Sequence, residues 1–165
     1  MSAKRRSFEA GHRPKFVAVA DATPECRRAI HFAARRAARI GASLVLIAVV
    51  APPDQFEWKG VEEAMLAEAE AEAKKMLDAA ASHARSAAGI EPELVLRTGK
   101  KSSEIVKLID EDEDISFLVL AASESKDGPG PLVSSLASKG PTAFPIPVVI
   151  VPGSLSDEEI DALAG

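Results

Sequence analysis

Three stretches of this chain, Ser43–Val50 (SLVLIAVV), Ile115–Ala121 (ISFLVLA) and Ile146–Val151 (IPVVIV), are apolar at almost every position rather than at alternate ones. A strand with one wet face alternates; a strand that does not is covered on both faces, as in a parallel sheet flanked by helices. Two shorter runs, Phe16–Ala20 and Glu93–Arg97, are likewise bounded by turn residues or charge. Segments of helical periodicity separate all five. The order therefore reads β-α-β-α-β-α-β-α-β, an α/β layered fold. At 165 residues the chain suits one domain with one core.

The connecting segments carry helix signals of their own. Thr23 is expected to cap the first helix, with Pro24 at the first position, Glu25 in the first turn and Gly41 closing it. Ala29, Ile30, Ala33, Ala37 and Ile40 form its apolar stripe, and Arg27, Arg28, Arg35, Arg36 and Arg39 are expected to face solvent. A longer helix is expected over Val61 to Ala87, with Val61, Met65, Ala69, Ala73, Met76, Ala80 and Ala84 on one face. A third begins after Gly99, capped by Ser102 or Ser103, and the acidic run Asp110–Asp114 reads as a solvated turn. Phe56 and Trp58, in the loop before the long helix, are expected to seal that loop onto the core. Ser156 and Glu159 match a capping box that opens a short tail helix with Ile160 and Leu163 on one face.

Composition narrows the function classes. A single cysteine, Cys26, leaves no internal disulfide and no cysteine-based zinc cluster, and His12, His31 and His83 are too scattered to suggest a ligand set. No metal of its own is expected. Twenty-five acids against 20 bases, net charge −5 and 4% aromatic residues argue against a nucleic-acid binder. No stretch approaches the roughly 18 apolar residues of a membrane span. The basic start, MSAKRRSFEAGHRPK, lacks the apolar core of a secretory signal and reads as a solvated, flexible arm over residues 1–14. A reducing cytoplasm is the expected compartment. The remaining boundaries are a domain over 15–153 and a tail helix over 154–165.

If the strands are ordered 3-2-1-4-5, the sheet has a switch point between the first and fourth, and ligands bind beyond the carboxyl ends there. Asp21 follows the first strand and offers a carboxylate to the hydroxyls of a ribose or to a base. After the fourth strand comes ASESKDGPGPLVSS, where Gly128 and Gly130 allow tight turning and Ser134 and Ser135 sit near a helix start able to hold phosphate oxygens. There is no GxxxxGK[ST], no GxGxxG after the first strand and no GxSxG. No catalytic constellation is found, so enzymatic activity is the lesser expectation.

Four pieces of the chain resemble the universal stress protein family over about Lys15 to Pro152: FVAVADATPECRRAI, ASLVLIAVV, TGKKSSEIVKLIDEDEDISFLVLAAS and PIPVVIVP. The resemblance implies an open, doubly wound five-stranded parallel sheet of order 3-2-1-4-5 with helices on both faces (adenine nucleotide alpha-hydrolase-like). It also implies a homodimer formed through the last strand, Ile146 to Val151, and room for a further protein partner. It places Asp21 at the family's acidic residue after the first strand and Val49 at a position whose backbone meets adenine in nucleotide-binding members.

That branch carries Gly, two residues, Gly, nine residues, then Gly followed by Ser or Thr. An ungapped register sets Ala121 and Glu124 at the first two glycines and Ser134-Ser135 at the final pair. A shifted one sets Asp127, Gly130 and Gly140 at the glycines, with Pro141 in place of the hydroxyl. The ungapped register is preferred because LVSSL then overlays the family's helix start. The adenosine side is then retained and the triphosphate side departs from the pattern. The resemblance implies a small stress-response protein that binds ATP, AMP or a related phosphorylated ligand through Asp21, Val49, Gly128, Gly130, Ser134 and Ser135. The alternative is an interaction module of the same family whose pocket takes no nucleotide.

Overall fold

The protein is described by a computed structural model covering residues 4–52, 59–139 and 143–165. Five strands, β1 (Lys15–Val19), β2 (Ser43–Val50), β3 (Glu93–Thr98), β4 (Ile115–Ala122) and β5 (Val148–Pro152), alternate with helices α1 (Cys26–Ile40), α2 (Lys59–Ala88), α3 (Lys101–Glu111) and α4 (Pro131–Lys139), and α5 (Asp157–Ala164) follows. All strand pairs are parallel, in the order β3-β2-β1-β4-β5. The expected topology is the observed one. Phe56 and Trp58 lie outside the described residues, as do Gly140 and Pro141.

The continuous apolar runs divide between two cores because successive strand residues face opposite ways. Leu44, Leu46 and Ala48 meet Ala29, Ile30 and Ala33 of α1, Leu77 and Ala84 of α2, and Ile160 of α5. Val17, Val45 and Ile47 meet Ile105, Leu108 and Ile109 of α3 on the other face. Alanine at the α1 contact lets that helix lie close to the sheet, where the larger strand side chains fill the space between.

Several local expectations are corrected. Thr23 does not cap α1: its N–H (2.9 Å) and hydroxyl both donate to Asp21 Oδ1, so α1 starts at Cys26 after a turn, with Glu25 at the N-cap. Gly41 does close it, in the left-handed conformation that glycine tolerates. Ile40 is exposed rather than part of the stripe. On α2 the buried face starts only at Ala73, and Val61 and Met65 are exposed. Neither Ser102 nor Ser103 caps α3, which begins at Lys101 after Lys100. The fifth strand starts at Val148, and Ile146 is a buried loop residue packed under α3 and α4.

The acidic turn and the basic arm turn out to hold each other. The Ser7 hydroxyl donates to Asp114 O (2.8 Å), His12 Nδ1 lies 2.7 Å from Asp114 Oδ1, and Lys15 pairs with Asp112 at 2.7 Å. Arg5 Nη1 donates to the carbonyls of Ile109 and Asp112 at 2.7 and 3.0 Å. The arm is thus tied at Arg5, Ser7 and His12 to the end of α3 and the start of β4, while Lys4, Arg6, Phe8 to Gly11 and Arg13 stay exposed. On α1, Arg27 and Arg28 pair with Asp157, Arg35 pairs with Asp161, and Arg36 reaches Ala164 O. Arg27, Arg36 and Arg39 stay exposed as expected, while α5 seats on this face and leaves Arg28 and Arg35 half-buried. The capping box forms as expected, with Glu159 N–H donating to Ser156 Oγ and Ser156 N–H to Glu159 Oε1. Ile160 and Ala164 are its buried pair, whereas Leu163 is exposed.

Candidate functional site

Crossovers leave β1 and β4 towards opposite faces, so a crevice opens between them at their carboxyl ends. Its walls are Val19 at the end of β1 and Asp21 after it, Thr23, Glu25 and Cys26 at the start of α1, Val119–Ala121 of β4, Pro129 and Gly130 of the following loop, Pro131–Val133 opening α4, and Lys101. The cavity between them is about 60 Å³, well under the roughly 300 Å³ at which small-molecule pockets begin. A ligand of nucleotide size must lie partly on the rim or part the walls. A larger groove of about 480 Å³ runs between α1 and α2 past Ile30, Met76 and His83. Asp21 and Cys26 line both spaces, and the rest of the groove's walls are helix flanks with their backbone groups paired within the helices. The smaller crevice has the helix start, the loop and the charged pair.

Asp21 is its best-connected side chain. Oδ1 accepts the two bonds from Thr23, and Oδ2 accepts one from Lys101 Nζ at 3.3 Å. Lys101 reaches it from the first position of α3, which crosses beneath β1 and β2 on its way to β4. Gly99 makes this entry possible. It holds φ +150°, donates its N–H to Val50 O at 2.9 Å and packs so close to Glu104 that a Cβ would sit 3.0 Å from its carboxylate. Cys26 donates its thiol to Asp21 O at 3.3 Å, and burial pushes the thiol's pKa up, so it stays protonated. Gly153, just past β5, closes the outer corner: its N–H donates to Ala122 O, and a Cβ there would sit 2.5 Å from that oxygen and 3.3 Å from Glu25 Cβ.

Of the six candidate residues, Asp21 and Gly130 meet in this crevice. Val49 lies on β2, half-buried against the α3 and α4 core. Gly128 turns the loop at φ +108° without lining the crevice. Because α4 starts at Pro131, Ser134 and Ser135 fall past its first positions. The Ser134 N–H donates to Gly130 O, and the Ser135 hydroxyl donates to Pro131 O at 2.9 Å. Neither serine lines the crevice, although LVSSL does fall at the start of α4, directly after Pro131. Sequence reasoning missed Lys101, Glu25 and Cys26. The lysine was hidden because a serine cap was expected one or two residues later, leaving it outside the helix; the Gly99-Lys100-Lys101 step was the available signal. Among the described residues, no group of three or more His, Cys, Asp or Glu side chains is placed to hold a metal ion, and no helix is long and apolar enough to cross a membrane.

The sequence model of the universal stress protein family matches residues 12–152. No curated protein matches significantly. Among solved structures, the chain is similar to the universal stress protein UspA from Lactobacillus plantarum, with 16% identity, TM-score 0.70, and coverage of 84% of this chain and 97% of that one. It is similar to a universal stress protein solved in complex with cAMP, with 21% identity, TM-score 0.64, and coverage of 86% and 98%. A third, from Archaeoglobus fulgidus in complex with dAMP, shows 25% identity, TM-score 0.55, and coverage of 84% and 96%.

Proposed function

Because the chain belongs to the universal stress protein family, we propose that it binds an adenine nucleotide or a related phosphorylated ligand in the β1/β4 crevice and acts as a dimeric, cytoplasmic regulatory module. The observation that carries this reading is the Asp21–Lys101 pair, which sets an acceptor for ligand hydroxyls beside a cation for phosphate at the switch point. Relatives of the same fold in complex with cAMP and dAMP support an adenine ligand. No nucleophile and general base converge in the crevice among its described residues, so binding is the function proposed, not turnover.

The dimer rests on the two sheet edges. Both edges expose one large apolar side chain, Leu94 on β3 and Ile150 on β5, but β3 also carries Glu93 and Arg97, charges that discourage edge pairing, where β5 reads Val-Val-Ile-Val-Pro. A second copy pairing along β5 satisfies its open backbone groups and covers that side chain.

Thermal unfolding with and without millimolar AMP, cAMP or ATP tests the binding. Ligand at about 100 times its dissociation constant adds roughly 2.7 kcal/mol, a rise of several degrees for a domain of this size. The rise should vanish in Asp21→Ala. Unchanged midpoints with all three nucleotides would favour the interaction module that takes no nucleotide.

A further inference from the structure

A phosphate tail needs free donors and tolerable charge around it, and the β4–α4 loop offers little of either. Four of the seven backbone N–H groups of residues 123–130 are engaged within the loop. The Ser123 N–H donates to Pro129 O at 3.0 Å, and the Gly128 N–H to Ser125 O at 3.1 Å. The Ser125 N–H donates to Ser123 Oγ at 3.0 Å and the Asp127 N–H to Ser125 Oγ at 3.2 Å. Pro129 and Pro131 have no N–H. Glu124 and Asp127 stand exposed on the same loop with Lys126 between them, and the carboxylates of Asp21 and Glu25 line the crevice. Among the described residues lining it, Lys101 is the one cation.

A lysine is a compact charge on a flexible stem, and Lys101 is about one-third exposed at the side chain, so it can exchange Asp21 for a nearby anion. Each phosphate beyond the first adds negative charge among four carboxylates that only Lys101 in the crevice and Lys126 on the loop offset.

Resting on the nucleotide-binding reading, we infer that this crevice accepts a nucleoside with one phosphate and disfavours di- and triphosphates, and that Lys101 is the residue that discriminates. In the free protein Lys101 holds Asp21 Oδ2; in the complex a ligand hydroxyl takes that oxygen and Lys101 turns to the phosphate, beside the first turn of α4.

The two halves of this exchange respond to one substitution with opposite signs. Calorimetric titration of the whole protein with adenosine, AMP and ATP should show AMP binding at least tenfold tighter than ATP. In Lys101→Ala, AMP should weaken by about tenfold, the loss of one charge-assisted contact. Adenosine should hold or tighten, because Asp21 is released. Lys101→Gln, which keeps the stem and a donor without the charge, should lose the AMP preference too and guards against a folding defect in the alanine variant. ATP binding as tightly as AMP, or adenosine and AMP weakening equally in the variants, would overturn the inference and leave nucleotide binding standing. If none of the three ligands binds, the nucleotide reading fails and this inference falls with it.

Discussion

His31 and His83 are 52 residues apart in sequence, and the structure places them 2.9 Å apart. Their protons can be assigned from the neighbours. Arg27 Nε–H donates to His83 Nδ1 at 3.4 Å, so the neutral His83 carries its proton on Nε2 and donates to His31 Nδ1. His31 then donates from Nε2 to Asp161 Oδ1 at 2.6 Å. Asp157 faces the same rings, and Arg28 and Arg35 hold the two aspartates from α1. Burial first, then the nearby Arg27, lowers the His83 pKa below its ordinary 6.5. The hydrogen bond from His31 lowers that of Asp161 below its ordinary 3.8. A histidine with a depressed pKa favours the neutral form in the folded state. Its contribution is complete above 6.5 and is lost as pH falls below that value. Asp161 acts in the same direction at lower pH. Thermal midpoints should therefore drop between pH 7.5 and 5.5, and His83→Gln should flatten that drop. An equal slope in the variant would remove this pair as its source. None of this was legible from sequence, where two isolated histidines and a row of arginines carry no sign that one more helix lies across them.

At the scale of elements, some chemistry was readable where both partners lie within a few residues. The Ser156–Glu159 capping box and the Gly41 closure are short-range patterns, and both form. Thr23 failed as a cap because α1 begins three residues on, at Cys26 with Glu25 at its N-cap, while the Thr23 hydroxyl donates to Asp21 Oδ1. What α5 covers was not readable, since its seat on α1 lies more than a hundred residues away in sequence. That seat is substantial: Ile160 is fully buried against α1 and the sheet core. Ile160→Ala should cost about 2–5 kcal/mol in denaturant unfolding. Leu163→Ala, at a side chain 66% exposed, should change little. Similar losses from both would mean that α5 packs through a different face.

For the whole molecule, the strand order and layering were legible because runs such as SLVLIAVV admit no wet face. The site was legible only as a place. A switch point follows from topology, which picked out Asp21 and Gly130. Which loop donors are free, and that a lysine from the third crossover enters the crevice, depends on individual hydrogen bonds that no pattern of residue types encodes. The proposed β5 dimer belongs to this scale as well. Val149→Lys sets a charge at the centre of an apolar edge, and gel filtration should show a shift from dimer to monomer with the far-ultraviolet spectrum retained. A variant still dimeric at the same concentration would place the interface elsewhere.

The central position of β1 has a kinetic consequence. Lys15 pairs with Ser43 on one side and with Ile115 on the other. Half of the sheet therefore assembles from neighbouring segments, while the other half waits for a closure spanning about a hundred residues. Until β4 arrives, the second edge of a strand buried at four of its five positions has no partner, and contacts of such separation form slowly. A folding chain thus passes through a stage with an open β1 edge, the moment at which it is most prone to pair with another copy of itself in the wrong register.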